Sequence, residues 1–300
     1  MIWNIRFSMR EQIWSSLSLN FYLKIKLIMK NLLFLFLGTC MMFSQNNRFI
    51  YEVKYKKDST LKDITKENYY LDITKRDITY YNRLYYIRDS VFTITGQSPI
   101  NRLTSFLIKK KNNLSYQNYE YIGDVNFYKI NGKAEQSWKI SDSIKTFEGY
   151  HVQRAVTEFG GRSWIAWFSK DIPISYGPYK FNGLPGLIME LYDTKKDYYF
   201  KVIKTEKIPE GYQHISLESF TSRAIPVNEK ELNKLKLDLY SNPFKYVLNG
   251  NLTIPEGKKL LLDDGTVLSK EQLKPAEANE RKKIKGFNNP IELDKAVKYP

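Results

Sequence analysis

Cysteine is nearly missing from this chain of 300 residues: Cys40 is the single instance. Histidine is almost as scarce, with His151 and His214 alone. They stand on separate segments, and neither has a second histidine three or four residues away. A zinc or copper site built on imidazole is therefore not expected. The chain has no glycine-rich phosphate loop and no Gly-x-Ser-x-Gly elbow, and Gly160-Gly161 matches no nucleotide fingerprint. Asp263-Asp264-Gly265 lacks the alternating ligands of a calcium loop and reads as a hairpin turn. No cofactor is expected.

A membrane-spanning apolar run is missing too. Leu32 to Phe43 is apolar apart from small residues such as Gly38 and Thr39, but a bilayer needs roughly 20 such residues. With Met29-Lys30-Asn31 before it and Ser44-Gln45 after it, the run has the layout of a secretory signal peptide over 29–44. Residues 1–28 then read as an upstream mis-translated extension, the alternative being an unusually long n-region. Cys40 follows Leu37-Gly38-Thr39, a loose lipobox with a poor threonine, so lipidation at Cys40 is the minor alternative to cleavage after Ser44. Cleavage there leaves one domain, 45–300, with no disulfide, thiol nucleophile or thiolate metal site. The expected location is the periplasm or cell envelope.

Acidic residues are outnumbered, 32 against 47 basic. Removing residues 1–28 and Lys30 leaves 42 basic and 31 acidic, a net +11. In a cytosolic protein that balance would suggest nucleic acid. Export excludes that partner and suggests peripheral contact with an anionic membrane surface instead. The charges are scattered, which reads as a solubilising surface. The tight runs are Lys109-Lys110-Lys111 and Arg281-Lys282-Lys283.

What is plentiful is tyrosine, with 23. Phe49, Tyr51, Val53 and Tyr55 alternate with polar neighbours, as on a half-buried strand. Residues 69–73, 78–81, 84–87, 91–94 and 119–130 read as further strands, the last continuing around Gly123-Asp124. The segment 150–168 predicts a hairpin closed by Gly160-Gly161. That register pairs Phe159 with Arg162, Thr157 with Trp164, Val156 with Ile165 and Arg154 with Trp167. It predicts a cation–π contact of Arg154 on Trp167, with Trp164, Ala166 and Phe168 facing the other way. Asn228 lies three residues before Glu231, and Leu232, Leu235 and Leu239 follow at helical spacing up to Pro243. Leu260 to Leu268 reads as a small hairpin, and 274–287 as a loose helix or a mobile segment. The expected fold is mainly β (α+β): a meandering, curved antiparallel sheet or open barrel with an amphipathic helix near the C-terminus.

One stretch stands out: Gly183-Leu184-Pro185-Gly186-Leu187-Ile188. With Gly161-Arg162, Ala166-Trp167, Ile172-Pro173-Ile174-Ser175, Gly177-Pro178 and Asn289-Pro290-Ile291-Glu292-Leu293, it makes the chain resemble the GLPGLI family, exported proteins of Bacteroidetes-type bacteria. The resemblance is strong over about 143–205. Val152 departs from it, standing where relatives often carry cysteine. The family implies export and a domain type but no reaction. On physical grounds Leu184 to Leu187 fits a type II turn with positive φ at Gly186, and Gly183 would permit close backbone approach. Leu187, Met189 and Leu191 would then share one strand face, with Ile188, Glu190 and Tyr192 on the other. The segment is a folding corner or, alternatively, a nest of N–H groups for an anion or a partner strand.

Two functions from different classes follow. One is a non-catalytic binding or docking protein, for an apolar ligand or an outer-membrane or envelope partner. Its candidate surface is Arg162, Trp164, Trp167, Gly183, Pro185 and Gly186. The other is an envelope hydrolase using carboxylates among Glu158, Asp171, Glu190 and Asp193.

Overall fold

The structure is a computed structural model. It describes residues 46–99, 103–111, 114–123, 126–250, 259–262 and 266–300, with Lys24, Lys26 and Lys30 as isolated helical positions. The chain divides into two units, Met1–Gln45 and Asn46–Pro300. In the first unit the three lysines are exposed. The expected signal segment 29–44 otherwise lies outside the described residues, as do Cys40 and most of 1–28. No described helix is long and apolar enough to cross a membrane.

The second unit is mostly β. In chain order it comprises β1 (Asn47–Tyr55), β2 (Thr65–Ile73), β3 (Asp77–Asn82), α1 (Arg83–Thr95), β4 (Phe106–Lys110), β5 (Ser115–Tyr121) and β6 (Phe127–Lys133). Then come β7 (Lys139–Phe147), β8 (Tyr150–Phe159), β9 (Arg162–Ser169), β10 (Leu187–Asp193), β11 (Tyr198–Lys207), α2 (Ile215–Arg223), β12 (Ile225–Pro226) and α3 (Glu229–Ser241). The chain ends with α4 (Lys245–Leu248), β13 (Leu260–Leu261), β14 (Val267–Leu268), α5 (Lys270–Gly286) and a 3-10 turn, Leu293–Lys295. Twelve strands form one open sheet, ordered β12-β6-β5-β4-β3-β2-β1-β11-β10-β9-β8-β7. Every pairing is antiparallel except β12 with β6. The sheet is therefore an extended meander in which β1 and β11 join the two halves of the chain.

The hairpin β8–β9 has the predicted register, with Phe159 opposite Arg162 and Arg154 opposite Trp167. Gly160 and Gly161 close it at φ +63° and +72°, as a two-residue turn of this hand requires. Trp164, Ala166 and Phe168 are buried, while Ser163, Ile165 and Trp167 between them are half-buried, so the predicted faces hold. The cation over the Trp167 ring, however, is Lys145 of β7, at 4.3 Å. Lys145 is drawn there by its ion pair with Glu190.

Residues 84–87 and 91–94, predicted as strands, are helical in α1. Local capping overrides their aromatic and β-branched propensity. The Asn82 side chain accepts from the Leu84 N–H, and Gly96 ends the helix at φ +69°. Tyr85 and Asp89, four apart, are its buried residues. The single expected helix is α3, whose Asn228–Glu231 capping box forms as predicted. It is joined by α1, α2, α4 and α5, so helix is under-read in the sequence. The loose helix expected over 274–287 is the seventeen-residue α5. The β5–β6 corner holds Gly123, while Asp124 lies outside the described residues, like the turn between β13 and β14.

The sheet buries both faces. One packs Phe49, Tyr51, Val53, Leu71, Ile78, Trp164, Phe168 and Phe200 under Phe181 and Leu184 of the β9–β10 connection. The other packs Ile50, Tyr70, Tyr81, Phe106 and Phe127 under Tyr85 of α1 and Leu217 of α2. At roughly 25 cal/mol per Å², such aromatic-rich layers are the main source of stability.

Candidate functional site

The β9–β10 connection, residues 170–186, is a self-bonded loop. The Ile174 N–H donates to the Ile172 carbonyl, Gly183 N–H to Ser175, and Leu187 N–H to Ile172, at 2.7, 3.0 and 2.9 Å. Phe181 and Leu184 are its fully buried plugs. The expected type II turn does not form. Gly186 N–H instead donates to the Leu184 carbonyl at 2.8 Å, a γ-turn centred on Pro185.

The glycine roles are the reverse of those expected. Gly183 has φ +92°, and a Cβ on it would find its nearest atom 3.9 Å away. Gly186 has no positive φ, but a Cβ there would lie 2.0 Å from the Ser169 carbonyl oxygen. Ser169 pairs with Leu187 at the mouth of β9–β10, so Gly186 is needed for close approach. A bulge between Ile188 and Glu190 then interrupts the expected alternation, and β10 is buried on both faces apart from Tyr192.

The segments resembling the family meet in space. Arg162 is 4 % exposed, and its guanidinium donates to Asp193 (2.9 Å), Asn289 (2.5 Å) and the carbonyls of Pro290 (2.8 Å) and Ile291 (3.1 Å). It also sits 4.8 Å from the Tyr198 ring centre. Leu293 N–H donates to the Gly160 carbonyl, and a Cβ on Gly160 would come within 3.0 Å of the Glu292 backbone. Tyr179 and Lys180, from the loop before the hexapeptide, both bind the Glu292 carboxylate. Burial raises the Glu292 carboxyl, but Lys180 and Tyr179 more than offset this and hold it below its ordinary range. The glycine turn, the arginine and the loop together fasten residues 289–293 across the sheet.

Under this strap lies a cavity of about 420 Å³. Its floor is a row of rings across the sheet: Tyr198 on β11, Tyr55 on β1, Tyr69 on β2, Tyr80 on β3 and, beyond β4, Tyr116 on β5. Tyr55 stacks on Tyr198 at 5.6 Å and Tyr69 on Tyr80 at 5.1 Å. Leu232, Asn233 and Lys236 of α3 form one wall, and Phe287, Pro290 and Ile291 another. Charges ring the cavity in pairs: Glu229 with Lys295 (2.5 Å), Lys180 with Glu292, and Glu120 with Lys236 (3.7 Å). Burial raises the Glu120 carboxyl, but Lys236 and Asn118 outweigh it and keep it below its ordinary range. Burial also raises the Tyr80 hydroxyl well above its usual range, so it stays protonated.

The sequence-selected residues are distributed around this site. Arg162 and Trp164 are buried and partnered, Trp164 donating to the Phe159 carbonyl at 2.9 Å. Gly183 and Pro185 are exposed, Gly186 is buried, and half-buried Trp167 lies on the other face of the sheet. The four carboxylates are dispersed. Asp193 is held by Arg162 and the Tyr198 N–H, Glu190 by Lys145 and Tyr199, while Glu158 and Asp171 are exposed. His151 is exposed on β8, and His214 Nε2 lies 3.2 Å from Asp72. No group of three or more metal-ligating side chains occurs among the described residues.

Two features went unread in the sequence. The tyrosine floor was visible as alternation, but its assembly from five strands was not. In the sequence Lys109 reads as solvated charge, yet it is 2 % exposed, its ammonium 3.5 Å from the Phe181 carbonyl. Burial, with the nearby Lys180 charge, pushes it down to about 7. The available signal was the period of two from Leu107, which turns Lys109 inward and Lys110 outward.

No curated protein matches the chain. Among solved structures, PNGF-II in a P21 crystal is similar with TM-score 0.49 and 12 % identity, over 64 % of this chain and 33 % of that one. PNGF-II in a C2 crystal gives 0.48 and 13 %, over 64 % and 32 %. The chain thus spans about a third of those proteins. Residues 158–190, which hold β9, the loop and the start of β10, match the model of a family described as a protein of unknown function (Porph_ging).

Proposed function

We propose that this is a non-catalytic binding protein of the cell envelope, of GLPGLI type, exported by the signal segment at 29–44. Its ligand is an amphipathic small molecule held in the tyrosine-floored cavity. The observation that carries this reading is the cavity itself: about 420 Å³ of space between aromatic rings and paired charges. Concave, mostly apolar sites with a few fixed polar groups are the usual form of small-molecule pockets. Ring faces supply apolar contact, while Glu120, Asn233 and Lys236 supply orientation at the rim. Apart from the exposed Asp294, the lining charges are paired with one another, which does not favour an ionic ligand.

The test is mass spectrometry of small molecules released from protein purified without denaturation. Asn233→Trp places an indole at the cavity mouth from an exposed helical position, leaving the core intact. The expected result is an amphipathic species in the parent that is absent from the variant, with unchanged thermal stability. Equal recovery from both, or turnover of peptide, ester or glycoside substrates that depends on Glu190 or Asp193, would overturn the reading.

A further inference from the structure

We propose a second binding site, for an uncharged saccharide, on the opposite face of the sheet. Along β11, Tyr198 and Phe200 enter the core, so Tyr199 and Lys201 point to the other side. There Tyr199 of β11 lies opposite Tyr192 of β10. Both rings are half-buried, 26° from parallel and 6.1 Å apart. They line a groove of about 410 Å³ with Glu190, Asp197, Lys56 and the exposed Ile64. Trp167 stands behind Tyr192, its indole N–H 3.5 Å from the Tyr192 hydroxyl.

The groove's charges select the ligand class. Glu190 is 6 % exposed and accepts from the Tyr199 hydroxyl at 2.6 Å and from Lys145. Asp197 is 7 % exposed and is paired with Lys56 at 3.0 Å and, more distantly, with Arg162 at 3.6 Å. Lys54, paired with Glu52 at 3.3 Å, and the exposed Lys196 complete the charged lining. Lys196 stands at the solvent rim, where a charge contact is screened, so an ionic ligand seated on the rings would have to break one of the buried pairs. A wholly apolar ligand would desolvate both carboxylates and give them nothing in return. Each carboxylate still has lone-pair capacity, since an ionised carboxylate offers about four acceptor sites. A sugar meets both conditions. Its C–H faces lie on tyrosine rings, and its hydroxyls donate to Glu190 and Asp197 while accepting from Lys56.

The test is an array of neutral and anionic glycans probed with the full chain, then saturation-transfer NMR with the best neutral oligosaccharide. Neutral glycans are expected to bind. Tyr192→Ala should weaken binding about tenfold through loss of the ring face. Tyr199→Phe keeps the ring but removes the hydroxyl that orients the Glu190 carboxylate, and should weaken binding as well. Asn233→Trp should leave it unchanged, which separates this site from the cavity ligand. No neutral binder, a preference for anionic glycans, or full binding by a folded Tyr192→Ala variant would overturn the proposal. So would loss of binding in Asn233→Trp.

Discussion

Replacing Lys109 with methionine should stabilise the protein, and by an amount that depends on pH. Lys109 is buried between Leu107 and Tyr116, and its ammonium titrates at about 7 instead of 10.5. At roughly 1.4 kcal/mol per pH unit, that difference is worth about 5 kcal/mol. The sign follows from proton counting. Between pH 7 and 10.5 the unfolded chain holds a proton on Lys109 that the folded chain lacks, so parental stability rises with pH through this window. Below pH 7 both states are protonated and the full burial cost is present. Methionine has nearly the same length and carries no charge. It forfeits the long contact to the Phe181 carbonyl, about 1 kcal/mol. The net gain expected at pH 6 is therefore about 4 kcal/mol, falling through zero near pH 10 to a loss of about 1 kcal/mol above pH 10.5. Urea denaturation of parent and variant at pH 6, 8 and 10 measures it, as a change in midpoint at constant m-value. A variant no more stable than its parent at pH 6 would refute the reasoning. So would a difference that does not shrink as pH rises.

Arg162→Met strands the buried Asp193 beside an apolar side chain, leaving Asp197 to Lys56 alone, and should cost about 3–5 kcal/mol in urea denaturation. It should also release the strap, seen as faster tryptic cleavage after Lys285. The two glycines of the hexapeptide should respond differently. Gly183→Ala keeps open space but must hold a left-handed backbone, about 1–2 kcal/mol. Gly186→Ala drives a methyl into the Ser169 carbonyl and should lower the melting temperature further; the reverse order would restore the type II turn. Intact-mass analysis of exported protein should show Gln45 at the N-terminus, and an acylated Cys40 would exclude that cleavage.

The sequence by itself determined what local rules can carry. Period-two alternation located β1, β8 and β9, and the paired glycines fixed the β8–β9 register, because a two-residue turn leaves the flanking strands one way to pair. The Asn228 capping box placed the start of α3 for the same reason: cap and helix lie within four residues. Tertiary contact decided the rest. Tyr85 and Tyr86 have strand propensity, and only burial of Tyr85 against Phe106 and Leu217, with caps at both ends, makes them helical. Arg162 looked like a surface anchor because its partners, Asp193 and Asn289, stand 31 and 127 residues away. Gly186 looked like a turn residue because Ser169, the group that forbids a side chain there, is brought close only by the β9–β10 pairing. The cavity needed five strands, a helix and the C-terminal strap in one place, and the spacing of residues along a chain does not encode such a meeting.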